Sequence, residues 1–230
     1  MKRCLKHIFL PLALLLMACE NEAYHTGEGS LSSMRADFVE AQTDADANVV
    51  SIETDDGERM FLASAVKISS MERPDTVYRA LLYYNKVEAD DGSFLAEPLG
   101  LTQVLVPSVV PVEEMEDGLK TDPLDFVSSW TSRNGKYLNL ELGVKTGSVD
   151  GSYGTQTLGI VCLGVDERDD GTRLVRLSLY HDQAGVPEYY TTEAYVSIAV
   201  SRLPIEPAAD DEVSIGIETY DGTVTRTFDF

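Results

Sequence analysis

Histidine and cysteine each occur only three times in this 230-residue chain, and tryptophan once. Lysine and arginine together number 18 against 39 aspartates and glutamates, giving a formal net charge of −21 and a pI near 4.3. Each scarcity excludes something. Three cysteines cannot make a disulfide scaffold. So few cations leave no basic face to neutralise phosphates, which argues against nucleic acid as a partner. No apolar run reaches the roughly 20 residues a membrane-spanning helix needs. There is no G-x-S-x-G elbow, H-E-x-x-H, C-x-x-C or phosphate loop. Against these absences, 43% of the residues are hydrophobic, enough for a packed core, so a disordered chain is excluded.

The N-terminus carries an address. Lys2, Arg3 and Lys6 precede an apolar run over residues 8–18, the length of a signal-peptide core. The run ends in Leu16-Met17-Ala18-Cys19, which resembles a bacterial lipobox: Leu at −3, a small residue at −1, then Cys. Cleavage before Cys19 and acylation of its thiol and amine are expected, with two or three chains making the anchor stable. Residues 1–18 then leave as a lipoprotein signal peptide. The mature chain keeps 15 basic and 39 acidic side chains, a net charge of −24. Residues 19–33, polar and without period, read as a flexible tether. Glu20 and Glu22 just after the anchor fit either a surface-export signal or a merely solvated tether. The implied location is the cell envelope, on the outer membrane, at its periplasmic face or on the cell surface.

From Met34 onward the pattern is strand after strand. Apolar runs at residues 49–53 and 59–62 flank Asp56-Gly57, and Asp-Gly recurs at 91–92, 170–171 and 221–222. Such pairs between apolar runs predict hairpins, with type I′ turns in which both central residues have positive φ. Residues 76–87 predict a long strand. Residues 101–112 predict another, which Pro107 and Pro111 confine to an edge or end early. The charged segment 113–123 reads as a domain boundary, followed by one helical turn with Asp122 as N-cap and Pro123 at N1. In the second half, Leu138, Leu140, Leu142 and Val144 alternate with polar residues, so one face is expected buried and one wet. Residues 158–165 are apolar on both faces and predict a central strand. Residues 175–179, 196–200 and 213–217 repeat the alternation. Short strands with Gly-rich turns favour an antiparallel β-sandwich over a parallel sheet.

Few residues are candidates for chemistry. In the mature chain Cys162 is the one thiol left after Cys19 is acylated, and it lies in an apolar run that makes it a small hydrophobe rather than a nucleophile. His181, at a strand end, reads as a surface residue rather than a catalytic base. Asp44, Asp46 and Asn48 begin like a calcium loop, but Val49 stands where Gly must turn and Asp55 where Glu must ligate, so a hairpin tip is the reading. Tyr83-Tyr84 and Tyr189-Tyr190 each place one ring on either face of a strand, where exposed rings could stack on sugars or anchor partners. Carboxylates are everywhere in so acidic a chain and single out no pair. No cofactor and no metal site is expected.

The lipobox, the acidic tether, the strands ending in a Pro-containing one, the stretch DPLDFVSSW…GKYLNLELGV with Trp130, and the closing hairpin to Phe230 together resemble the NigD-like lipoproteins. That resemblance implies an all-β fold: an N-terminal OB-like barrel over residues 34–115, then a C-terminal antiparallel β-sandwich over residues 122–230. It carries no catalytic residues to transfer. The implied role is a lipid-anchored, non-enzymatic binding or structural module for an envelope protein or a glycan. The alternatives are a hydrolase of envelope polymers and an immunity or inhibitor lipoprotein whose acidic surface steers a basic toxin.

Overall fold

The computed structural model describes residues 34–149 and 151–230. The expected signal peptide, lipid-bearing Cys19 and tether lie outside the described residues. Fifteen strands carry the fold, and among the described residues the helical pieces are two 3-10 turns, Val112–Glu114 and Val200–Arg202. No helix among those residues is long and apolar enough to cross a membrane.

The first five strands are β1 (Met34–Thr43), β2 (Val49–Thr54), β3 (Arg59–Val66), β4 (Val77–Glu88) and β5 (Phe94–Gln103). They close into a barrel in the order β1-β2-β3-β5-β4, with β4 returning to β1. This is the OB-type arrangement that the family resemblance implied. Alternation within the strands fills it: Val39, Ala41, Ile52, Met60, Leu82 and Tyr84 point inward and are buried. One end of the barrel is plugged by Met71 from the connection over residues 67–76. Near the other end, Arg35, Asp37, Glu58 and Lys86 form an ion network against the Tyr84 hydroxyl.

The remaining strands build the sandwich. They are β6 (Val109–Pro111), β7 (Asp125–Thr131), β8 (Tyr137–Thr146), β9 (Ser148–Val149), β10 (Ser152–Tyr153), β11 (Thr157–Glu167), β12 (Arg173–Asp182), β13 (Tyr190–Ala199), β14 (Glu212–Thr219) and β15 (Gly222–Asp229). One sheet runs β15-β14-β12-β11-β6 and faces a three-stranded sheet β13-β8-β7; β9 and β10 form a small hairpin. Most pairings are antiparallel, while β6–β11 and β12–β14 are parallel. Between the sheets, Leu138, Leu140, Leu142, Val196 and Ile198 meet Ile160, Val175, Leu177, Ile215 and Ile217. β11 lies inside its sheet, as its two-faced apolar sequence predicts.

Three local expectations are corrected here. The 101–112 stretch is not one strand: β5 ends at Gln103, and β6 crosses to the sandwich as its edge strand. The segment 113–123 therefore lies between two sandwich strands, β6 and β7. The helical turn at Asp122 does not form. Asp122 N–H instead donates to the His181 carbonyl, and the chain enters β7 two residues after Pro123. The Asp-Gly hairpins are not type I′, because Gly57, Gly92 and Gly171 have positive φ while the aspartates before them do not. In each, the Gly N–H bonds back three residues, to Thr54, Ala89 or Arg168. That is the type I turn with a left-handed glycine, which needs only one residue without a Cβ penalty.

Candidate functional site

The fourth correction concerns the polar face of β8. Alternation predicts that Asn139 and its neighbours are wet, yet Asn139 is 1% exposed and Ser197, opposite it on β13, is fully buried. The barrel covers this face. The polar residues are there because they meet a buried cation.

That cation is Arg79 of β4, whose side chain is fully buried. Its guanidinium donates two bonds to the carboxylate of Asp55, at 2.6 and 2.7 Å, from the β2–β3 turn. It also reaches Ser197 Oγ and Asn139 Oδ1, each at 3.4 Å. The Ser197 hydroxyl donates to the same Asn139 oxygen at 2.7 Å. Tyr137 and Phe38 lie under the guanidinium, with ring centres 4.2 and 5.2 Å from it. Phe38 in turn meets Trp130 and Tyr195 edge-on. A buried ion pair of this kind adds little net stability but tolerates no loss of a partner. The same guanidinium ties barrel to sandwich through Ser197 and Asn139.

The rim of the seam is charged. Lys136 bridges Glu40 at 2.6 Å and Glu53 at 3.3 Å, and the Tyr137 hydroxyl donates to Glu40 at 2.9 Å. Burial, then that bond to a carboxylate, pushes the Tyr137 phenol up to about 12, so it stays a donor. Leu105 pairs with Val196, and Ser197 N–H donates to the Leu105 carbonyl, so the passage from barrel to sandwich adds backbone bonding to the same seam.

Two of the depressions along it adjoin. One, about 610 Å³, is walled by Ser69, Ser70, Glu72, Arg73 and residues 76–79 of the barrel, by Gln103, Leu105 and Val106, and by Tyr137, Ser201 and Arg202. The other, about 630 Å³, is lined by Lys136, Tyr137, Val200, Leu203, Ile205 and Pro207 among others. They share Tyr137, Ala199 and Ser201 and form one groove, polar at one end and more apolar at the other. Preformed clefts of this size between two packed units are where ligands most often bind.

Of the residues singled out in the sequence, Tyr83 lines another hollow of the seam with Leu105 and Tyr195, and the others are not gathered here. His181 is not on the surface: it is 1% exposed, with Nδ1 2.8 Å from the Asp122 carbonyl and Nε2 2.8 Å from Gln156 Oε1. Both ring nitrogens are taken by structural partners. Cys162 is buried in the sandwich core. Asp44–Asn48 is a hairpin tip, in which Asp44 Oδ1 accepts from the backbone N–H groups of Asp46 and Asn48. Those two bonds, with the Asn48 side chain, hold the Asp44 carboxyl below the usual range. Tyr84 is buried with its hydroxyl on Asp37, whereas Tyr83 covers Gly100 on the barrel exterior. Tyr189 and Tyr190 are exposed at the sandwich end away from the seam. Sequence reading missed Arg79, Ser197 and Asn139. The available signal was an arginine amid the apolar strand VYRALLYY, whose partners 24 to 118 residues away are invisible in one dimension.

Comparison with known proteins agrees with this architecture. The family profile described as the NigD-like C-terminal beta sandwich domain matches residues 108–230, more than half of the chain. The chain belongs to the NigD-like family. Its NigD-like sandwich and the preceding barrel superpose together on solved structures. A NigD-like immunity protein from Bacteroides caccae is 25% identical, with a TM-score of 0.63 over 84% of this chain and 91% of that one. A candidate toxin-related protein from Parabacteroides distasonis is 16% identical, with a TM-score of 0.62 over 86% and 93%. A candidate lipoprotein from Bacteroides fragilis is 14% identical, with a TM-score of 0.58 over 85% and 96%. The last two show the fold alone. No curated protein matches the chain.

Proposed function

We propose that this NigD-like chain is an envelope lipoprotein, anchored through Cys19 to the outer membrane, that binds a protein or glycan partner in the seam groove without turning it over. The observation that carries this reading is the groove, a cleft between barrel and sandwich, whose walls are tied by buried Arg79 reaching across to Ser197 and Asn139 while Asp55 neutralises it. Binding sites gain affinity when their walls need no ordering on association. The engagement of both His181 nitrogens and the burial of Cys162 speak against a base or nucleophile drawn from either residue. Likeness to an immunity protein at 25% identity supports a protein as the partner. In that form of the reading the partner is a basic toxin, steered by the −24 charge of the mature chain.

Two measurements test the reading. A fatty-acid analogue fed to cells should label the protein and fail to label Cys19→Ala; a labelled variant disproves the anchor. Capture of partners from native membranes should be lost on Ser201→Trp, which fills the middle of the groove, and capture unchanged by that variant disproves the site. The hydrolase alternative gains if purified protein turns over an envelope glycan, peptide or ester and a single Asp or Glu substitution abolishes turnover with the fold intact.

A further inference from the structure

In a chain with more than twice as many acids as bases, each cation is expected to find a carboxylate neighbour. Fifteen lysines and arginines lie within residues 34–230, and eleven of them form ion pairs with a carboxylate. Among the described residues, four do not: Lys67, Arg73, Arg202 and Arg226. Lys67 donates to the Asp46 carbonyl and faces the Asp44 carboxylate, and Arg226 lies over the Phe126 ring. Each of those two has a local explanation. The other two, Arg73 and Arg202, come from segments about 130 residues apart and line the same 610 Å³ end of the seam groove. Arg202 spends one N–H on the Val106 carbonyl at 2.8 Å, leaving the rest of its guanidinium donors free of carboxylate. Ser69, Ser70, Thr76, Gln103 and Ser201 add hydroxyl and amide groups to the same walls, and Glu72 is the one carboxylate in that lining, without an arginine or lysine partner among the described residues.

Resting on the reading that this groove holds a partner, we propose that its Arg73–Arg202 end is an oxyanion site that receives a carboxylate or phosphate group of the ligand. The chemistry follows from the donors. A guanidinium offers paired N–H groups that match two oxygens of a carboxylate or phosphate, and charge-assisted bonds of this type are the stronger ones. The acidic surface beyond the groove does not cancel the site, because at physiological ionic strength charges beyond about 8 Å are largely screened, and within the lining two guanidinium groups without ion pairs stand against the single carboxylate of Glu72. The surrounding hydroxyls supply uncharged donors for the remaining oxygens. Leu105 and Val77, both exposed on the same wall, give the ligand an apolar shoulder beside the charged group.

The experiment titrates the purified mature chain with inorganic phosphate, with trigalacturonate and with neutral maltotriose, read by calorimetry and by backbone amide shifts. At least one of the two anions should saturate and move the amides of residues 69–73 and 201–202, while maltotriose should do neither. Which anion saturates tells a phosphate ligand from a carboxylate one. Arg73→Gln with Arg202→Gln should weaken the anion at least tenfold. Arg73→Gln alone, at an exposed side chain with no partner, should weaken it without touching the fold. Saturation by neither anion, equal binding of maltotriose, or unchanged affinity in the double variant overturns the proposal. Partner capture that survives the double variant but is lost on Ser201→Trp also overturns the oxyanion site while leaving the groove reading standing. Capture that survives Ser201→Trp removes the groove reading itself.

Discussion

Arg79 and Asp55, 24 residues apart, form a bidentate pair at 2.6 and 2.7 Å with the arginine side chain fully buried. Asp55 sits on the turn between two barrel strands, and Arg79 faces the sheet on which the barrel rests. The pair thus holds the β2–β3 turn against β4, and the same guanidinium reaches Ser197 and Asn139 of the sandwich.

Removing Asp55 should expose how much depends on it. Asp55→Ala leaves the Arg79 charge buried without its counterion, a loss of about 3–5 kcal/mol. The exposed pair Arg59–Glu53 is the control, and Arg59→Ala should cost less than about 1 kcal/mol. Urea unfolding of the three proteins checks the contrast, and equal midpoints for Asp55→Ala and Arg59→Ala would contradict it.

Acid stability should depend on Asp211. Its carboxylate takes side-chain bonds from Arg173 and a backbone bond from Ala208, and these lower its pKa to about 2. A lowered folded-state pKa means the contribution is complete above the unfolded value near 4 and is lost as the pH falls from there to about 2. Asp211→Asn should therefore reduce stability at neutral pH and flatten its fall between pH 4 and pH 2. Thermal melts across that window give the answer, and parallel profiles for the two proteins count against the assignment.

His181 should behave as a core residue. His181→Ala removes the partner of the Asp122 carbonyl and of Gln156 Oε1, and each buried group left unpaired costs about 1–3 kcal/mol. The variant should melt earlier yet capture partners normally below its transition. A loss of binding at unchanged stability would give His181 a functional role instead.

We further propose that barrel and sandwich are separate domains joined between β5 and β6, and that the exposed loop 113–123 inside the sandwich is the first point of cleavage in the folded part. Limited proteolysis should cut the tether first and this segment next. Because β6 stays paired with β11 and the Arg79 seam holds, the nicked halves should co-elute until denatured. Earliest cuts in the folded part within residues 138–200 would reject the division.

Strand after strand, the Asp-Gly turns, the buried stripe Leu138–Leu140–Leu142 and the inward placement of Cys162 were all legible in sequence, because period-two alternation and turn chemistry are local properties. Local pattern also explains the errors. The helical turn at Asp122 obeyed capping rules, but β-pairing with residues 181 and 219 competed for the same backbone groups and won. Asn139 and Ser197 looked wet because alternation reports polarity, not what lies opposite. The lipobox-like stretch Leu16-Met17-Ala18-Cys19, the acidic balance and the all-β class are legible in sequence alone, since each depends on composition or on neighbours a few residues apart. Only the tertiary structure decided that a polar sheet face would be buried, that Arg79 would find Asp55, and that Arg73 and Arg202 would share a groove. Those outcomes depend on how two closed sheets stack, and stacking brings together residues whose separation along the chain carries no signal of their contact.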